Sequence, residues 1–116
     1  MVKHCVFIKF LPEITEAQRE SLYQAIYNLR HHLPGWQNFS FGSNVTPETG
    51  MDKGFNGGFI IDFADEAARN TYLADKQHQE IGAQIVKSTV GGVDGIMVFD
   101  FLDTLNLKPR RSTQPF

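Results

Sequence analysis

Val2-Lys3-His4-Cys5-Val6-Phe7-Ile8-Lys9-Phe10 has the alternation of a β-strand, yet it is mostly apolar on both faces. His4, Val6, Ile8 and Phe10 fall on one side, Cys5 and Phe7 on the other. A strand with one solvated face would alternate apolar and polar, so this one belongs inside a sheet with cover on both faces. Pro12 ends it. Thr15-Glu16-Ala17-Gln18 then reads as a capping box, the threonine accepting from the third helical amide while Gln18 reaches back. The spacing predicts a helix to about Leu33, with Leu22, Ile26, Leu29 and Leu33 on one stripe. His31 and His32 fall in its last turn, where positive charge suits the dipole, and Pro34-Gly35 stop it.

Downstream, Trp36 to Gly42 reads as a second, more polar strand, followed by a loop from Ser43 to Lys53 marked by Pro47 and Gly50. Phe55 to Phe63 is a third strand, with Phe55, Gly57, Phe59, Ile61 and Phe63 on one face. Glycines in Gly54-Phe55-Asn56-Gly57-Gly58 lack the spacing of a nucleotide loop and are expected to permit a bulge or a close ligand approach. Asp65 caps a short helix to about Ala74, and Asp75 caps another from about Lys76 to Ser88. Gly91-Gly92 and Gly95 frame a last strand, about Val93 to Phe101, with Met97, Phe99 and Phe101 opposite Ile96 and Val98. Residues 102–116 read as a C-terminal tail without clear period.

The order strand, helix, strand, strand, helices, strand predicts one α+β domain over residues 1–101. Its class is ferredoxin-like βαββαβ, a four-stranded antiparallel sheet with helices on one face. The first and third strands are then central. The face without helices carries large apolar side chains, and a patch of that size is usually an interface. The economical partner is a second copy, giving a homodimer packed sheet against sheet.

Composition narrows the function. The formal net charge is −2 with mixed signs, and Arg110-Arg111 is the only adjacent basic pair, so no nucleic-acid partner is expected. Cys5, the only cysteine, permits neither an intrachain disulfide nor a cysteine-based zinc site, and reads as a small buried hydrophobe. The histidines have no metal-ligand spacing, and no metal or cofactor is expected. No run reaches membrane-spanning length and Met1 to Phe10 is too short and interrupted for a signal peptide, so a cytoplasmic protein is expected. The sequons at Asn38 and Asn44 then read as chance matches.

The candidate site is Tyr72-Leu73-Ala74-Asp75-Lys76-Gln77-His78, with His4 as a third member. A phenol and an imidazole can exchange protons near neutral pH. On one continuous helix Tyr72 and His78 would be separated by about 600° of rotation and point apart. A break at Asp75 removes the objection and makes His78 the third residue of the next helix, where the positive helix end disfavours imidazolium. Asp75 opposes this with its own charge. The structural reading stays open beside it: His78, Ile81, Gly82 and Ile85 share one stripe, and Tyr72 and His4 each fit a core margin. Tyr23 and Tyr27, one turn apart, are expected at that margin too.

The chain resembles the stress-responsive α/β-barrel proteins, the dimeric α+β barrel (Dabb) family, over roughly Val2 to Phe101. The resemblance rests on Val2-Lys3-His4 opening the first strand, Leu33-Pro34-Gly35 after the first helix, and the Tyr-x5-His spacing within Phe63 to His78. A polyketide cyclase of that family shares Glu-Ile-Thr-Glu-Ala-Gln, here Glu13 to Gln18. The resemblance implies a tyrosine and a histidine at Tyr72 and His78 serving aldol cyclisation, with another histidine at His4. Family members commonly read Tyr-x-x-His-Pro-x-His; here Asp75 and Lys76 replace the first histidine and the proline. Gly57 stands where the cyclase has a pocket histidine on its third strand.

Three functions follow. One is a homodimer binding a hydrophobic or aromatic small molecule between sheet and helices, with acid/base chemistry from His78 and Tyr72. The second is a non-catalytic stress or structural dimer. The third is a monooxygenase-like member of the wider dimeric barrel class.

Overall fold

The computed structural model describes residues 1–103. The chain forms β1 (Val2–Ile8), α1 (Glu16–Asn28), β2 (Trp36–Ser43), β3 (Gly57–Phe63), α2 (Glu66–Ala74), α3 (Lys76–Lys87) and β4 (Ile96–Leu102). The sheet runs β2-β3-β1-β4 with every neighbouring pair antiparallel. The strand that is apolar on both faces is therefore central, next to β3. This is the ferredoxin-like arrangement.

Several boundaries depart from the sequence pattern for local reasons. The capping box forms, with Gln18 N–H donating to Thr15 Oγ1 at 3.1 Å and Thr15 N–H to Gln18 Oε1 at 2.8 Å. The α-helix it starts stops at Asn28 instead of reaching Leu33, and Leu29–His31 tighten into a 3-10 turn. Leu33 precedes proline and is disfavoured in helical backbone, so the helix winds down before it. β1 ends at Ile8, and Phe10 rejoins the fold through an isolated bridge to Thr89. The Asn56 side chain clamps Phe10, accepting from its N–H at 2.8 Å and donating to its carbonyl at 3.1 Å. That commitment delays β3 to Gly57. Before β4, Gly91 and Gly92 adopt φ of 72° and 63° and lead into a 3-10 turn at Gly92–Gly95, so the strand starts at Ile96 and runs through Leu102. The rest of the expected tail lies outside the described residues.

Register fixes what shares a face. His4 lies opposite Ile61 and Asp100, and Val6 opposite Phe59 and Val98, all toward the helices. Cys5, Phe7, Ile60, Met97, Phe99 and Phe101 point the other way, where no element among the described residues covers them. Cys5 is nevertheless buried, while Phe99 remains 60% and Phe101 45% exposed. Lys3 donates to Asp62 at 3.0 Å at one end of this face.

The core lies between the sheet and the three helices. Tyr23 is part of it rather than at its margin, 3% exposed and stacked on Phe41 at 4.8 Å between ring centroids. Gly57 makes the room. A Cβ there would stand 2.7 Å from the Tyr23 hydroxyl and 2.9 Å from the Phe10 ring, so this glycine makes room for core aromatics. The sheet's register shift falls in β2, between Trp36 and Asn38, and not at the β3 glycines. Among the described residues no helix is long and apolar enough to cross a membrane.

Candidate functional site

Asp75 is the one residue between α2 and α3, and its carboxylate Oδ2 accepts from the His78 amide at 2.9 Å. The N-cap turns the chain so that Tyr72, near the end of α2, and His78, in the first turn of α3, face each other. Their ring centroids lie 4.0 Å apart with a 40° interplanar angle. His4 reaches the same place from β1, its ring edge-on to Tyr72 at 5.5 Å. The three residues nominated from sequence thus come together.

They line a cavity of about 420 Å³ between the sheet and the two later helices. Its polar end holds His4, Tyr72, His78, Arg69 and Asp100; Val6, Ile26, Phe59, Ile85 and Val98 line the rest. A second hollow, about 460 Å³, lies by the open sheet face among Phe7, Phe41, Ile60 and Met97, with Asp52 its only titratable lining residue among the described residues. Chemistry is concentrated in the first.

Tyr72 is 0% exposed, and its hydroxyl has no hydrogen-bond partner among the described residues. Burial drives its pKa far above the ordinary phenol value, so it stays protonated and can only donate or accept without ionising. The His78 Nδ1 is likewise buried without a partner. Burial, reinforced by the nearby His4, lowers the His78 pKa; smaller opposing contributions come from the Leu73 backbone and Asp75. Desolvation thus outweighs the Asp75 charge and favours the neutral imidazole, which is able to accept a proton.

His4 is anchored. Its Nδ1 lies 2.8 Å from Asp100 Oδ1, and Asp100 Oδ2 accepts from Arg69 at 3.1 Å. A carboxylate only accepts, so Nδ1 carries the proton and Nε2 holds the lone pair. Burial outweighs Asp100 and lowers the His4 pKa. Asp100 and Arg69 were absent from the sequence-derived set. A signal existed for Asp100: it is the one charge on the otherwise apolar stripe Ile96, Val98, Asp100.

His32 donates from Nε2 to Asp75 Oδ1 at 2.9 Å, a contact nothing local announces. Among the described residues no group of three or more His, Cys, Asp or Glu side chains is placed to hold a metal ion.

A four-stranded ferredoxin-like sheet with a cavity under its later helices describes a class of small α+β proteins. The chain belongs to the stress-responsive A/B barrel domain family, whose model matches residues 2–103. It is 28% identical to olivetolic acid cyclase from Cannabis sativa over 81 residues, spanning 70% of this chain and 79% of the cyclase. A dimeric ferredoxin-like protein of unknown function from Jannaschia sp. CCS1 superposes with a TM-score of 0.79 at 29% identity, over 87% of this chain and 97% of that one. Hydroxynitrile lyase from Passiflora edulis shares the fold at 16% identity, with a TM-score of 0.73 over 93% and 96% of the two chains.

Proposed function

We propose that the chain is a homodimer that binds an enolisable carbonyl compound with an apolar or aromatic body in the sheet–helix cavity, and catalyses carbon–carbon bond formation on it. One observation carries this reading: the Tyr72 hydroxyl and His78 Nδ1, both buried and unpartnered among the described residues, sit on adjacent rings at the polar end of an apolar cavity. Buried polar atoms normally find partners, and a pair left without them in a cavity matches a ligand that supplies them.

In the proposed step His78 takes a proton from the carbon next to a carbonyl, and the C–H electron pair moves into an enolate. Tyr72 donates a hydrogen bond to the enolate oxygen. The carbanionic carbon attacks a second carbonyl of the same molecule; a C–C bond forms, the C=O π-bond breaks, and the resulting alkoxide takes the proton from His78. The atoms balance without a cofactor. Similarity to olivetolic acid cyclase supports a carbonyl substrate, and the apolar cavity wall accommodates its hydrocarbon part. The dimeric relative and the exposed Phe99–Phe101 face support the homodimer.

The test is incubation with a linear poly-β-keto thioester and mass-spectrometric detection of cyclised product. Cyclisation by the wild type, reduced on the order of 100-fold or more in His78→Ala, is the expected result. Equal product from both proteins contradicts it.

A further inference from the structure

The pairing of His32 with Asp75 lies outside the cavity but bears on the two rings within it. Asp75 has extended backbone, φ −66° and ψ 131°, and connects α2 to α3 by itself. Its carboxylate is divided between two donors, the His78 amide on Oδ2 and His32 Nε2 on Oδ1, each at 2.9 Å. The cap ties the carboxylate to α3 alone. Across the joint itself, the Asp75 amide donates to the Tyr72 carbonyl at 3.2 Å and the Gln79 side chain to the Leu73 carbonyl at 3.4 Å.

His32 adds a tie from outside the two helices, because its own turn is packed on α2. Gly35, three residues on, accepts from the Ala64 amide at 2.8 Å just before α2. It lies so close to α2 that a Cβ at Gly35 would collide with the Ala68 Cβ. Trp36 meets the Tyr72 ring edge-on at 6.0 Å. The segment 32–36 therefore backs α2 along its length, and its bond to Asp75 locks the far end.

We infer that His32 is a positioning residue: by holding the second oxygen of Asp75 it fixes the angle between α2 and α3, and with it the 4.0 Å approach of His78 to Tyr72. Its functional consequence rests on the reading of Tyr72 and His78 as the reactive pair. The charged and titratable groups around His78 are His4 from β1, Asp100 from β4, Arg69 and Tyr72 from α2, and Asp75 at the joint. His32 itself lies outside the cavity lining.

The experiment is an NMR pH titration of the full chain without ligand, comparing wild type with His32→Ala, His32→Phe and His32→Gln. It reads the His78 titration midpoint and the cross-relaxation between the His78 and Tyr72 rings. Phe keeps the bulk of the ring but has no donor; Gln restores an N–H at similar reach. Ala and Phe should raise the His78 midpoint toward its ordinary value of about 6.5 and lose inter-ring cross-relaxation, and Gln should restore both. A fall in melting temperature with the midpoint and ring contacts unchanged overturns the inference, as does failure of Gln to restore them. No ligand enters the measurement, so its failure is distinct from failure of the carbonyl-substrate reading, which cyclisation decides.

Discussion

Tyr72 and His78 stand on two different helices with their ring centroids 4.0 Å apart, joined by a connection one residue long. Each has a buried polar atom without a partner among the described residues. Several measurable consequences follow from that placement.

Removing the Tyr72 hydroxyl should separate stability from chemistry. An unsatisfied buried hydroxyl carries a desolvation penalty with no compensating bond, so Tyr72→Phe should unfold at equal or higher urea, by up to about 1 kcal/mol. Cyclisation should fall on the order of 100-fold, as expected for the loss of one donor to a developing oxyanion. A loss of stability above about 1 kcal/mol would show that the hydroxyl is structurally bonded after all.

Stability should decline on mild acidification. His4 and His78 both have lowered pKa values, burial being the main cause, so between those values and their ordinary 6.5 the unfolded chain binds more protons than the folded one. Unfolding free energy should be level between about pH 6.5 and 8 and fall below that range. The Asp75 carboxyl is lowered chiefly by the His78 amide and additionally by His32, adding a second loss below its ordinary 3.8. Urea midpoints across this range check the sequence of losses, and His78→Gln should flatten part of the first. A midpoint constant from about pH 7.5 to 5 contradicts the prediction.

Two glycines should respond oppositely to alanine. At Gly57 the added Cβ meets Tyr23 and Phe10, and overpacking there should destabilise by about 1–3 kcal/mol. At Gly82, in α3 on the cavity wall, a Cβ meets nothing within 4 Å, so Gly82→Ala should stabilise by roughly 0.5–1 kcal/mol through helix propensity. Gly82→Leu should keep the fold while blocking cyclisation by filling the cavity. Denaturant unfolding and the cyclisation assay read both effects.

The open sheet face should carry the dimer. Phe99→Asp places a charge on its exposed apolar patch, and light scattering should then report a monomer where the wild type gives a dimer. Equal masses for the two proteins would move the interface elsewhere.

The elements legible from sequence were those with a local cause. Asp75 declares the helix break because an aspartate N-cap needs only the amide three residues ahead, and the two-sided β1 pattern places that strand centrally. What stayed hidden depends on distant partners. His32 meets Asp75 across 43 positions and Arg69 meets Asp100 across 31, and neither leaves a periodic trace. Tyr23 reads as marginal on its own helix and becomes core only because Gly57, on another strand, leaves space for its ring.

The central claim is that His78 is a base aimed at a carbon acid. Its most direct measurement is the exchange of the C2 protons of an alkyl β-keto ester for solvent deuterium, followed by proton NMR against buffer. The wild type should accelerate exchange well above the buffer rate, with the acceleration lost in His78→Ala and reduced in Tyr72→Phe. Exchange in the wild type no faster than in His78→Ala would contradict the account.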